Sequence, residues 1–347
     1  MTVRAARQAA LAWLAEHAER RPGFRGAYLI GSTVGLPLDR LLPPSSDLDV
    51  AVVLDGDDPS LPRGKLLHRG ALLEISVFPW ERFRRFDELA ASYHLAAGLA
   101  ADAVVADPSG ELRAIQREVA RSFRDEHRVR ARCENAVGRV LELLADQAAA
   151  VAWHDQVNSW LFATGVLTHV LLVAALANPT VRLRYVAVRR VVEEYGAGAL
   201  QPRLLDLLGC RAIAADRVSH HVDALARSFD AAAACARTAF PFRSDITPVA
   251  RPIAIDGSRA LIRSGEHREA VFWIVATFVR CGRILGADAP ADVADEHAHA
   301  FRELLADLGI RSPDELRNRA DRVRQFVPEL RLAAEAIRAA NPQIIRT

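Results

Sequence analysis

Cysteine is scarce, with four residues in a chain of 347 (Cys133, Cys210, Cys235, Cys281). They are widely spaced and form no CxxC pair, which argues against a disulfide framework or a structural zinc site and fits a reducing cytoplasm. Excess charge of either sign is also missing. The formal net charge is +2 and no Lys/Arg-rich run occurs, so binding to nucleic acid is not expected. There is no signal-peptide pattern, because the N-terminus is charged and reads as an amphipathic helix. The most apolar long run, 160–177, contains Thr164, Thr168 and His169 and lacks a flanking basic cluster, so it reads as a buried bundle helix and no membrane partner is expected. Internal repeats and low-complexity segments are absent. What remains is an ordinary globular composition, 51% hydrophobic and 25% charged, long enough for two domains.

The pattern changes along the chain. Residues 4–20 show Leu11, Leu14 and Ala15 at helical spacing, ended by Pro22-Gly23. Short apolar runs follow at 27–30, 48–54, 65–69, 71–78 and 103–106 and read as strands, the third and fourth forming a hairpin around Gly70. Short helices are expected from Glu81 and over 93–100, and a longer one after Asp107-Pro108-Ser109-Gly110. Beyond about residue 126 strand signals vanish. Helical periodicity covers 130–153, 156–177, 180–195, 214–238, 266–285, 291–308 and 313–339, with 241–257 read as a linker. The expected class is α+β: residues 1–125 form a small mixed sheet flanked by helices, and residues 126–347 an all-α bundle.

One stretch carries chemistry. Tyr28-Leu-Ile-Gly-Ser32 ends an apolar run in Gly31-Ser32. A Pro-rich loop leads to Ser45-Ser46-Asp47-Leu48-Asp49 and a second apolar run, and a third carries Glu74. Side chains alternate along a strand, so Asp47 and Asp49 share a face. Two such charges about 4 Å apart repel by roughly 1 to 4 kcal/mol. A divalent cation removes that penalty, and Mg²⁺ accepts carboxylate together with phosphate oxygens. Glycine lets a phosphate approach the backbone, and a hydroxyl with exposed N–H groups can donate to it.

In this combination the region resembles the polymerase-β-like nucleotidyltransferase superfamily, whose pattern is apolar-Gly-Ser, a loop, Asp-x-Asp, and a third acid on a later strand. From Gly70 to about Phe123 it is most similar to aminoglycoside (kanamycin-type) nucleotidyltransferases. The resemblance covers about residues 26–125 by motif and the rest by architecture. It implies a cytoplasmic, Mg²⁺-dependent transferase of the antibiotic-resistance kind. Such an enzyme moves a nucleoside monophosphate from an NTP, ATP foremost, to a hydroxyl of a small acceptor and releases pyrophosphate. Asp47, Asp49 and Glu74 would hold two Mg²⁺ ions, and Gly31, Ser32 and Ser46 would contact the nucleotide. A general base is expected on the first long helix of the second domain. There Glu142 and Asp146 lie opposite a stripe of Val137, Val140, Leu141, Leu144 and Ala148. Kanamycin-type relatives build their site between two subunits, which makes a homodimer an expectation. Many relatives follow Gly-Ser with a basic residue; here Thr33-Val34-Gly35 has none, and Arg40 is the substitute the loop offers. Two rival activities share the motif: protein-modifying (AMPylating, antitoxin-type) enzymes, which are usually single short domains, and nucleotide-oligomerising relatives.

Elsewhere, His154 and His220-His221 lack partners at metal spacing and read as structural. Ser264 reads as a helix cap, and Glu266, His267 and Arg268 as candidates for an acceptor pocket. Trp80, Trp153, Trp160 and Trp273 read as core.

Overall fold

A computed structural model describes residues 1–346. The chain forms two compact units, Met1–Arg132 joined by the residues from Pro342 onward, and Cys133–Asn341.

In the first unit, helix α1 (Val3–His17) starts at Thr2, whose hydroxyl accepts the Ala5 N–H at 3.2 Å. Five strands follow: β1 (Phe24–Ile30), β2 (Leu48–Leu54), β3 (Gly64–His68), β4 (Ala71–Pro79) and β5 (Val104–Ala106). Three short helices, α2 (Glu81–Arg84), α3 (Phe86–Ala91) and α4 (Ala96–Leu99), precede β5, and α5 (Glu111–Ser122) follows it. Strand order is β3-β4-β2-β1-β5, with β2 and β4 parallel and the other pairs antiparallel.

Alternation sorts β2 onto two cores. Leu48, Val50, Val52 and Leu54 pack with α1, while Ala51 and Val53 pack with Trp80, Phe83 and α5. Both faces are covered, which is why β2 reads as a continuous apolar run. The stripe of α1 is Ala6, Ala9, Ala10, Trp13 and Leu14. Leu11 and Ala15, expected on that stripe, are exposed; the large Trp13 ring sets the rotation of the helix instead.

Helix α6 (Glu126–Ala149) carries the unit boundary between Arg132 and Cys133. The second unit continues with α7 (Trp153–Ala174), α8 (Arg184–Glu194), α9 (Leu200–Leu208), α10 (Ala215–Cys235), α11 (Gly257–Arg263), α12 (His267–Asp288), α13 (Ala291–Asp307) and α14 (Pro313–Ala340). Helix α12 packs on α10, α11, α13 and α7; α7 packs in turn on α14, α8 and α9. Helices α7 and α12 are long and apolar enough to cross a membrane, but 83% and 67% of their apolar windows are buried within the fold. Three polar side chains of α7 find backbone acceptors: Thr164 donates to the Trp160 carbonyl at 2.9 Å, Thr168 to Gly165 O at 2.7 Å, and His169 Nε2 to Thr180 O, beyond the helix, at 2.9 Å.

Part of the stretch read as a linker is helical. Residues Pro252–Asp256 form a π-helical turn that runs into α11. Ser264 ends α11 rather than starting α12, and its hydroxyl donates to Leu261 O and Glu266.

Candidate active site

The site is assembled by strand register. Parallel pairing sets Asp49 beside Glu74, and antiparallel pairing sets Glu74 beside Lys65 and Asp49 beside Ile30. A row therefore crosses four strands, from Lys65 through Glu74 and Asp49 to the end of β1. Asp47 joins it from the residue preceding β2, two positions before Asp49 and on the same face. One carboxylate oxygen from each of Asp47, Asp49 and Glu74 lies within 4.8 Å of the others.

Gly31 closes the row. Its φ of +78° begins the 3₁₀ turn Gly31–Thr33, and a Cβ there would stand 1.9 Å from Asp49 Oδ2. No other residue leaves room for that carboxylate. Ser32 is exposed beside it, and Ser46 sits in the turn entering β2, its N–H donating to Pro43 O at 3.0 Å. The loop before β2 is strapped to the start of α1 through Val3 N–H to Arg40 O at 2.9 Å and Arg4 N–H to Leu38 O at 2.8 Å. The backbone of Arg40 is thus structural and the residue is exposed.

Lys65 was not expected. It is the chain's single lysine, its side chain is 5% exposed, and its ammonium lies 2.9 Å from Asp47 Oδ2 while also contacting Glu74. The hairpin around Gly70 held the signal, since counting back from its turn places residue 65 opposite residue 74. Even with this cation present, the Asp49 carboxyl is held well above the ordinary carboxylate range. Burial is the main cause, followed by the charges of Asp47 and Glu74 and a hydrogen bond with Glu74; Lys65 pulls the other way. Three hard oxygen donors converge where a protein cation already stands, and this donor set fits Mg²⁺.

Glu142 and Asp146 belong to the second unit, on the part of α6 beyond Cys133. Both are exposed; Glu142 is tied to Arg139 at 3.0 Å. The inner stripe of α6 differs from the expected one. Val137, Val140 and Leu144 are buried, but Leu143 and Gln147 take the places given to Leu141 and Ala148, which face outward.

Glu266 and Glu269 bind Arg189 at 2.6 and 3.0 Å, and His267 Nε2 donates to Ile213 O at 3.2 Å, so this cluster fastens α8 and the segment before α10 to α12. His220 and His221 face Glu303 and Asp307 on α13. A cavity of about 200 Å³ in the second unit is lined by His154, Ser228, Phe278, Gly282, His297 and Phe301 among others. It is smaller than the roughly 300–1,000 Å³ usual for drug-sized ligands.

No family model matches the chain, and no curated protein matches it.

Proposed function

We propose that the first unit is a nucleotidyltransferase centre that moves a nucleoside monophosphate from an NTP to a hydroxyl of a small molecule, an aminoglycoside-like compound being the first acceptor class to test. The observation that carries this reading is the convergence of Asp47, Asp49 and Glu74 on one face of the sheet, beside a Gly31 that admits no side chain.

Bound Mg²⁺ would neutralise the triphosphate and the charge developing on the attacking and leaving oxygens. Asp47, Asp49 and Glu74 would hold the cation. Exposed Ser32 would donate to a phosphate oxygen, as would backbone N–H groups of the 3₁₀ turn. Lys65 supplies the basic group that the stretch after Gly31-Ser32 lacks, on the opposite side of the acids. The acceptor oxygen bonds to the α-phosphorus, the bond to pyrophosphate breaks, and the acceptor proton passes to a base. Of the two expected bases, both exposed, Asp146 is the one to test first, because it makes no ion pair among the described residues, whereas Arg139 engages Glu142.

The test is incubation of the full chain with each NTP, Mg²⁺ and a panel of hydroxylated small molecules, read by mass spectrometry. A gain of one nucleotide on an acceptor, with pyrophosphate released, is expected. Asp47→Asn and Asp49→Asn should abolish it with the fold intact, and Asp146→Asn should slow it by roughly 10²–10⁴-fold. Wild-type turnover in both triad variants would refute the assignment. Nucleotide found on protein, or as oligonucleotides, would move the activity to a different acceptor class.

A further inference from the structure

The opposite face of the same sheet carries a second convergence of ligating groups. Strand β3 sends Lys65 to the acidic face. His68, three positions on, belongs to the other face with Leu66, which packs against the α1 core. The last turn of α1 brings Glu16 and His17 to the same place, and one ligand atom from each of Glu16, His17 and His68 lies within 4.8 Å of the others.

The arrangement is oriented. Residues Arg69 (φ +47°) and Gly70 (φ +79°) make the two-residue turn between β3 and β4. From that turn Arg69 grips Glu16 Oε1 at 2.6 Å. The other oxygen, Oε2, is left 3.7 Å from His68 Nε2 and 3.9 Å from His17 Nε2. Both separations are too long for hydrogen bonds. The imidazoles stand nearly perpendicular, at 81° with centroids 6.1 Å apart, so they do not stack face to face. His68 Nε2 is buried and has no hydrogen-bond partner, a state that costs free energy unless something fills it.

We propose that Glu16, His17 and His68 bind a transition-metal dication of the zinc type. Ligands about 2.0–2.1 Å from a common tetrahedral ion lie roughly 3.3–3.5 Å from one another, so the two carboxylate–imidazole separations need a contraction of a few tenths of an ångström, and the two imidazole nitrogens, within 4.8 Å of each other, close to the same range. Two imidazole nitrogens and one carboxylate oxygen make a zinc donor set. Exposed Glu16 leaves solvent a route to the fourth position. The Arg69 pair orients the carboxylate, as outer partners of metal ligands do. Nitrogen donors also disfavour Mg²⁺, which sorts the two sites by cation: oxygen-only on one face, nitrogen-rich on the other. The site would clip the end of α1 to the β3–β4 hairpin, independently of the reading of the acidic face.

The test uses the full chain with Mg²⁺ in excess. Zn²⁺ binding is followed by calorimetry and Co²⁺ binding by its visible absorption. Wild type and Asp47→Asn should each bind one Zn²⁺ and give the intense bands of a tetrahedral Co²⁺ centre. His17→Ala, a change at a half-exposed position, and Glu16→Gln should weaken binding at least tenfold and lose those bands while keeping the wild-type circular dichroism. Unchanged stoichiometry and affinity in His17→Ala would overturn the proposal. So would failure of the wild type to bind, or loss of the same equivalent in Asp47→Asn.

Discussion

Lys65 shows how much one residue can decide. Its ammonium is enclosed between Asp47 and Glu74, with Asp49 behind them. Removing one member of a buried charge cluster leaves the others uncompensated, a cost tempered here by the partial exposure of Asp47 and Glu74. Lys65→Met should therefore lower metal-free stability by about 1 to 3 kcal/mol in urea unfolding, and added Mg²⁺ should recover part of the loss. Lys65→Arg should not match the parent, because a planar fork does not replace a compact ammonium. Asp49 gives the pH dependence. Its folded pKa is raised, so between the unfolded value near 4 and the folded one the native state holds a proton that the unfolded chain has released. Stability then falls as pH rises through that window. Asp49→Asn should match the parent below the window and unfold at higher urea above it, in the presence of a chelator. Mg²⁺ should raise the parent's midpoint more than the variant's. Asp47 and Asp49 on one face were readable from the chain because strand alternation is local; Glu74 was expected from the superfamily pattern, and its place beside Asp49 is set by the β2–β4 register. Lys65 needed the hairpin register, and His68 needed a neighbouring helix.

Among the elements, α7 illustrates close approach. A Cβ on Gly165 would meet Arg184 Nη1 and Phe272 Cε2, both at 2.5 Å, and those two side chains are themselves buried. Overpacking a filled core costs about 1 to 3 kcal/mol, which outweighs the roughly 1 kcal/mol that alanine gains over glycine in a helix. Gly165→Ala should thus lower the Tm. Gly138→Ala, in α6 with nothing within 4 Å of the added atom, should leave it unchanged or raise it. Calorimetry on the pair separates packing from propensity. Helix existence followed from apolar periodicity, but α9 was missed. Its Pro202 lies in the first turn, where no intrahelical N–H bond is lost. The stripe of α6 was misread at two of its five positions, Leu141 for Leu143 and Ala148 for Gln147; the two leucines are chemically alike. Only the packed neighbours distinguish them.

At the scale of the molecule, the first unit is not a continuous segment. Ile345 pairs with the junction of α5 and α6: Glu126 N–H donates to Ile345 O at 3.0 Å, Ile345 N–H to Arg124 O at 2.9 Å, and Ile344 is buried. Ending the chain at Asn341 should destabilise the first unit by about 1 to 3 kcal/mol. Amide exchange near residues 124–129 should speed up while the cores of α7 and α12 stay protected. A boundary at residue 125 follows from the change of pattern along the chain, but periodicity cannot reveal that the last residues return. The same division runs through the whole protein. Periods of 2 and 3.6 residues are written in neighbouring side chains, so strand and helix, and two acids on one face, could be read directly. Which strand lies beside which, which lysine meets which acid, and which histidines face one carboxylate depend on burial summed over the chain and on turn geometry. Those long-range terms act only once the sheet and its covering helices pack together.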